Sequence, residues 1–203
     1  MMKPLFAAAA PIMLMGVLAA PALANAAVGQ PAPAFTATDS NGRTVSLADF
    51  KGKPVVLEWT NAECPFVQKY YSGGDMQKLQ AEARKGGTVW LTINSGAAGN
   101  QGHVTGEQAN AKVRQQGFQS TAYLLDTDGK IGRAYGARTT PHMFVIAPDG
   151  TLAYAGGIDS IPSANPADIA RAEPLVRLAL ADVKAGKPVA TPTSKPYGCS
   201  VKY

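Results

Sequence analysis

The stretch Glu63-Cys64-Pro65-Phe66-Val67 follows the apolar run Val55-Val56-Leu57-Glu58-Trp59. A buried-type strand therefore leads into a cysteine and then into a helix that opens on proline. Proline suits the first helical position because its missing N–H would have had no intrahelical partner. Cys64 then falls at the N-cap, where unpaired backbone N–H groups and the positive end of the helix dipole favour thiolate over thiol. The thiolate is the nucleophile, so the pattern points to thiol exchange or oxidation. A buried, inert structural thiol is the competing reading of the same residues.

Three further residue types bear on that chemistry. Glu58 interrupts the apolar strand six residues before Cys64. A carboxyl buried near a thiol has its pKa raised by desolvation and can exchange protons near neutral pH, with core-network or surface placement as the alternative. His142 is read as a wall residue that tunes Cys64 electrostatically. Cys64 and His142 together fall short of a soft-metal site, since Val67 stands where a second close thiol would be needed; no metal and no cofactor is expected. The only other cysteine is Cys199, in the last five residues of the chain. The 13 residues after Gly186 reach about 43 Å when extended, against a domain radius of ~16 Å, so the tail is long enough to return to Cys64.

The elements that must position these groups are legible as alternating apolar runs and breakers. Phe35–Thr38 and Thr44–Ser46 flank Asn41-Gly42, a pair that favours a tight hairpin. Val55–Trp59 reads as a strand buried on both faces, and Thr88–Ile93 and Ala122–Leu125 as further central strands. Helical sequence runs from Pro65 to Tyr71, from Met76 to Arg84, from a Thr105 cap to Gln116 with Gly117 ending it, and from Ile131 to Tyr135. Met143–Ile146 and Leu152–Ala155 form a hairpin around Pro148-Asp149-Gly150, and Ala167–Lys184 reads as one long helix with Pro174 as a kink or boundary. Thr139-Thr140-Pro141 precedes the hairpin strand; proline cannot donate to a ladder, so it sits at a strand start or an edge. This order describes an α/β protein with a mixed sheet.

Residues 1–26 combine Lys3, an apolar stretch from Leu5 to Leu18 and small-residue cleavage sites around Ala24-Asn25-Ala26. That is the pattern of a secretory signal peptide, with a retained anchor as the alternative. Residues 27–187 then form one domain, and 188–203 an irregular C-terminal tail carrying Cys199. The formal charge of +5 is scattered along the chain. It reads as solubility, so neither a nucleic-acid partner nor a membrane after signal cleavage is expected.

Strand–Cys64-Pro65–helix, Thr140-Pro141 before a hairpin, and the opening Val28-Gly29-Gln30-Pro31-Ala32-Pro33-Ala34-Phe35 together resemble the thioredoxin-like superfamily. More narrowly they resemble the exported redoxins grouped with alkyl hydroperoxide reductase and thiol-specific antioxidant proteins. Leu124-Leu125-Asp126, Ala134-Tyr135-Gly136-Ala137 and the ending Gly198-Cys199-Ser200-Val201-Lys202-Tyr203 look like a peroxiredoxin-like subgroup. The resemblance implies a thioredoxin-like fold with an N-terminal hairpin extension, and a cis Thr140–Pro141 bond against the Cys64 sulfur. It also implies a substrate-facing wall made by Thr140, Pro141 and Pro65.

The chain departs from both family patterns. Val67 replaces the second cysteine of thioredoxins. Leu57 and Asn61 stand where peroxiredoxins carry proline and Thr or Ser, and Pro141 stands where they carry arginine, leaving Arg138 as the one candidate substitute.

The function expected is an exported thiol-disulfide oxidoreductase or antioxidant redoxin. Cys64 attacks a disulfide protein or a small hydroperoxide, Cys199 or an external thiol resolves it, and Glu58 assists. Asn61 and His142 are accessory candidates. The alternatives are a glutathione-peroxidase-like enzyme using Asn94 and Gln101, and a non-enzymatic binding or metal-delivery module.

Overall fold

A computed structural model describes residues 26–203, so the signal-peptide reading of residues 1–26 lies, Ala26 apart, outside the described residues. Among those described, no helix is long and apolar enough to cross a membrane. A seven-stranded sheet runs in the order β2-β1-β5-β4-β3-β7-β8. Here β1 is Thr36–Asp39, β2 Thr44–Ser46, β3 Val55–Trp59, β4 Val89–Asn94, β5 Ala122–Leu125, β7 His142–Ile146 and β8 Leu152–Gly156. The centre, β3-β4-β5, is parallel, and β7, β8 and the β1-β2 hairpin run antiparallel to their neighbours.

The pleat divides β3 between two cores. Val55, Leu57 and Trp59 face Leu91, Ile93, Phe144 and the short helix α4 (Lys130–Tyr135). Val56 faces the other way, with Trp90, Met143 and Val145, under α1 (Pro65–Tyr71), α2 (Asp75–Lys85) and α5 (Leu175–Lys184). α3 (Gly106–Gln116) starts on a Thr105 capping box with Gln108 and ends at Gly117 in the left-handed region, as its sequence signals require.

One expectation changes. The long helix from Ala167 is broken: Pro166–Arg171 is a 3₁₀ turn, Ala172 is extended, and α5 begins only after Pro174. Proline disfavours helical backbone in the residue before it, so the break falls where the ring demands it. The tail is irregular apart from one short element. Its residues Cys199–Ser200 form a ninth strand, β9, paired antiparallel with β6 (Thr139–Thr140).

Candidate active site

The turn that delivers Cys64 is built by Asn61. Its side-chain Oδ1 accepts the Glu63 N–H at 2.9 Å, and its carbonyl accepts the Cys64 N–H at 3.0 Å. Cys64 is the N-cap of α1 with extended backbone, and Pro65 follows at the helix start. The Asn61 amide also donates to Gln101 at 3.1 Å, tying the turn to the glycine-rich loop after β4.

Opposite the cysteine stand β6 and β9. The Cys64 thiol donates to the Thr140 carbonyl at 3.1 Å, and the Thr140–Pro141 bond is cis. Thr140 is register partner to Cys199, whose thiol lies in hydrogen-bond contact with the Cys64 sulfur. Neither cysteine is in a disulfide. Cys64 is fully buried while Cys199 is half-buried, so Cys199 lies on the solvent side of the nucleophile.

The two thiols are electrostatically unlike. Burial raises the Cys64 pKa, but hydrogen bonds from the Cys199 thiol, the Thr140 side chain and the Cys199 and Val67 backbone outweigh it, and the net shift is downward. Cys199 moves the other way, to about 11, through burial, its bond to Cys64 and repulsion from the Cys64 thiolate. The opposite shifts make Cys64 the thiol that ionises first and Cys199 the one that keeps its proton.

Glu58 is buried, and burial raises its pKa despite four hydrogen bonds. It accepts from Tyr71 Oη at 2.7 Å, Gln80 Nε2 at 3.0 Å, Trp90 Nε1 at 2.7 Å and Thr92 Oγ1 at 3.2 Å. None of these bonds reaches Cys64.

His142 departs from its expected place. Its pKa is lowered to about 4 by burial and by the Arg138 charge, its Nδ1 accepts the Arg138 N–H at 3.2 Å, and its ring packs on Phe144 at 4.4 Å. It pairs in register with Trp59 and shares the Trp59–Phe144 face, whereas Cys64 packs with Met143 on the other. Strand side chains alternate, so the residue next to Pro141 faces away from the sulfur. A neutral, averted imidazole is not a tuning group for Cys64. Arg138 has an exposed side chain and serves the site through its carbonyl, which accepts the Val201 N–H at 3.0 Å. Asn94 and Gln101 are also engaged away from the sulfur: Asn94 donates to the Thr60 and Gly102 carbonyls, and Gln101 accepts from Asn61. Among the described residues no group of three or more His, Cys, Asp or Glu is placed to hold a metal ion.

A cluster beside the site has no counterpart in the sequence reading. Lys69 of α1 is buried and donates to Asp159 Oδ2 at 2.8 Å. Asp159 also accepts from the hydroxyls of Tyr70 and of Tyr197, two residues before Cys199. A lysine one turn into an amphipathic helix ordinarily reads as solvent-facing, and its partners lie 90 and 128 residues away in sequence.

Residues 28–155 match the AhpC/TSA family, and the chain belongs to it. The chain is 26% identical over 129 residues to the thiol-disulfide oxidoreductase ResA of Bacillus subtilis (strain 168); the match covers 61% of this chain and 64% of ResA, under two thirds of that protein's length. A hypothetical protein from Sinorhizobium meliloti 1021 superposes with a TM-score of 0.74 and 27% identity, over 87% of this chain and 94% of the other. The thioredoxin domain of a thiol-disulfide oxidoreductase from Bacteroides vulgatus gives 0.51 and 23%, over 64% and 87%. The fold is thioredoxin-like.

Proposed function

We propose that this chain is an exported thiol-disulfide oxidoreductase with Cys64 as nucleophile and Cys199 as its internal resolving thiol. The observation that carries the reading is the pairing of Thr140 with Cys199, which sets a second thiol against the first. The similarity to ResA, a named thiol-disulfide oxidoreductase, supports the reaction class. With a disulfide substrate, the Cys64 thiolate attacks one sulfur and releases the first thiolate; Cys199 then attacks the Cys64 sulfur of the mixed disulfide and releases the second. With a hydroperoxide, Cys64 takes the terminal oxygen as sulfenic acid while an alcohol or water leaves, and Cys199 closes the disulfide with loss of water. Either cycle ends with an external dithiol reducing the Cys64–Cys199 bond. Thr140 and Pro141 are buried, and Thr140 is paired with Cys199 of β9, so the exposed Pro65 is the part of the expected wall that a protein partner meets while the tail is closed; Glu58 holds a proton within the core behind the site.

The disulfide route is the better supported. On the β6 side the Cys64 thiol meets the Thr140 carbonyl, an acceptor, and the Arg138 side chain that would have to polarise a peroxide is exposed to solvent. The amino-terminal pattern supports export to the periplasm. Mass spectrometry of the mature protein after titration with a disulfide donor and with hydrogen peroxide tests both routes. The expected product is an intramolecular Cys64–Cys199 disulfide, and Cys199→Ser is expected to trap a mixed disulfide or let Cys64 advance to sulfinic acid. A reduced pair that survives both oxidants would overturn the reading.

A further inference from the structure

The segment from Tyr197 to Tyr203 is fastened on both sides of Cys199. Downstream, the Val201 N–H donates to the Arg138 carbonyl at 3.0 Å, the Lys202 carbonyl accepts the Ala97 N–H at 2.8 Å, and the Tyr203 hydroxyl donates to the Ala137 carbonyl at 2.6 Å. Upstream the fastening is of a different kind. The Tyr197 hydroxyl donates to Asp159, whose carboxylate is otherwise held by the buried Lys69 ammonium, the Tyr70 hydroxyl and the Ile161 N–H. The Tyr197 ring meets Phe66 edge-on at 5.8 Å and lies under the Lys69 ammonium at 5.5 Å. Phe66, Lys69 and Tyr70 all belong to the helix that Cys64 caps. A buried ion pair on α1 is thus spent on gripping a tyrosine two residues from the second cysteine. Such a pair costs desolvation and is weak evidence for stability alone.

We propose that Tyr197, gripped by Asp159 and Lys69, is a positioning residue that holds Cys199 against Cys64 and keeps the tail closed over the nucleophile. The inference rests on the dithiol reading above. Its chemical content is local concentration: the closer Cys199 is held, the more the internal disulfide is favoured over two thiols in exchange with an external disulfide. In that exchange Cys64 and Cys199 together lose two protons and two electrons, and one glutathione disulfide gains them to leave as two glutathione thiols. The same fastening accounts for a nucleophile with no exposed surface beside a resolving thiol that has some.

The test compares the mature parent with Tyr197→Phe, which removes one hydroxyl and leaves Asp159 paired with Lys69, Tyr70 and the Ile161 N–H. Two quantities are read: the equilibrium constant of the Cys64–Cys199 disulfide in glutathione buffers, and the rate of Cys64 alkylation by iodoacetamide, assigned by peptide mass. The constant is expected to fall about tenfold, the scale of a hydrogen bond to a charged group, while alkylation of Cys64 rises several-fold. A merely structural hydroxyl would move neither, and either quantity unchanged overturns the proposal. If the parent itself forms no disulfide in oxidised glutathione, the dithiol reading fails. If the parent forms it and Tyr197→Phe matches the parent, the positioning role alone fails.

Discussion

Under the proposed function Cys64 and Cys199 divide one task between two thiols of the same type, and their opposite shifts come from what each hydrogen-bonds. Cys64 receives donors from the Cys199 thiol, the Thr140 side chain and nearby backbone, which more than offset its burial; Cys199 faces the resulting negative charge and holds its proton. Removing the donor should undo the shift. Cys199→Ala is expected to raise the Cys64 pKa towards the ordinary cysteine range, whereas Cys199→Ser, which keeps a hydroxyl donor, should leave it low. Ultraviolet thiolate absorbance against pH reads both variants directly. Equal midpoints in the two would show that the Cys199 side chain does not set the charge on Cys64. Glu58 has its own environment at this scale. Four donors converge on its two oxygens. From β3 it satisfies buried donors on β4, α1 and α2.

At the scale of elements, the site is a helix start facing a two-residue strand pair. Gly198, at the entry to β9, has φ +129°, and a Cβ there would clash with the Thr140 carbonyl oxygen of β6. Gly198→Ala must therefore push β9 back by about 1 Å, a displacement that can cost ~10²-fold in a positioned reaction. The rate of Cys64–Cys199 closure in oxidised glutathione should drop by that order, while Cys64, buried in the parent, becomes more open to alkylation. A rate equal to the parent's would mean that β9 does not set the geometry of closure. This pairing also marks where the sequence stops being legible. Val55–Trp59, Val89–Asn94 and the Cys64-Pro65 junction declare themselves through local patterns of apolar runs, breakers and caps. A strand of two residues has no period to read, and the tail leading to it is broken by Pro188, Pro192 and Pro196. The Lys69–Asp159–Tyr197 cluster is likewise invisible, because only the folded chain brings three such distant residues together. His142 shows the opposite failure: adjacency to Pro141 suggests the site wall, but the pleat turns its ring to the other core.

For the molecule as a whole, that averted histidine becomes a stability device. The folded protein keeps His142 neutral down to about pH 4, because burial and the Arg138 charge oppose protonation, while an unfolded chain takes up the proton near 6.5. Between those values the unfolded state binds more protons, so stability is full above pH 6.5 and is lost as pH falls towards 4. The gap corresponds to about 3 kcal/mol for a side chain this buried, a large share of the 5–15 kcal/mol typical of a domain. Other groups titrate in or below the window with their own signs. Asp39, where burial raises the pKa but bonds to Arg43 and Asn41 outweigh it so that the net shift is downward, adds acid sensitivity below the carboxylate range. Glu58, raised by burial, works against it, since the folded state holds that proton more tightly than the unfolded chain. A difference measurement separates His142 from both. Denaturant midpoints for the parent and for His142→Asn, taken from pH 7 to pH 4, should diverge in slope: the parent loses about 3 kcal/mol more than the variant across the window, even though the smaller side chain makes the variant less stable at pH 7. Parallel curves would mean that His142 carries its proton in the folded protein. The imidazole would then be a cation packed on Phe144 rather than the neutral acceptor that fixes the Arg138 N–H, and with it the strand end on which Val201 and the tail are hung.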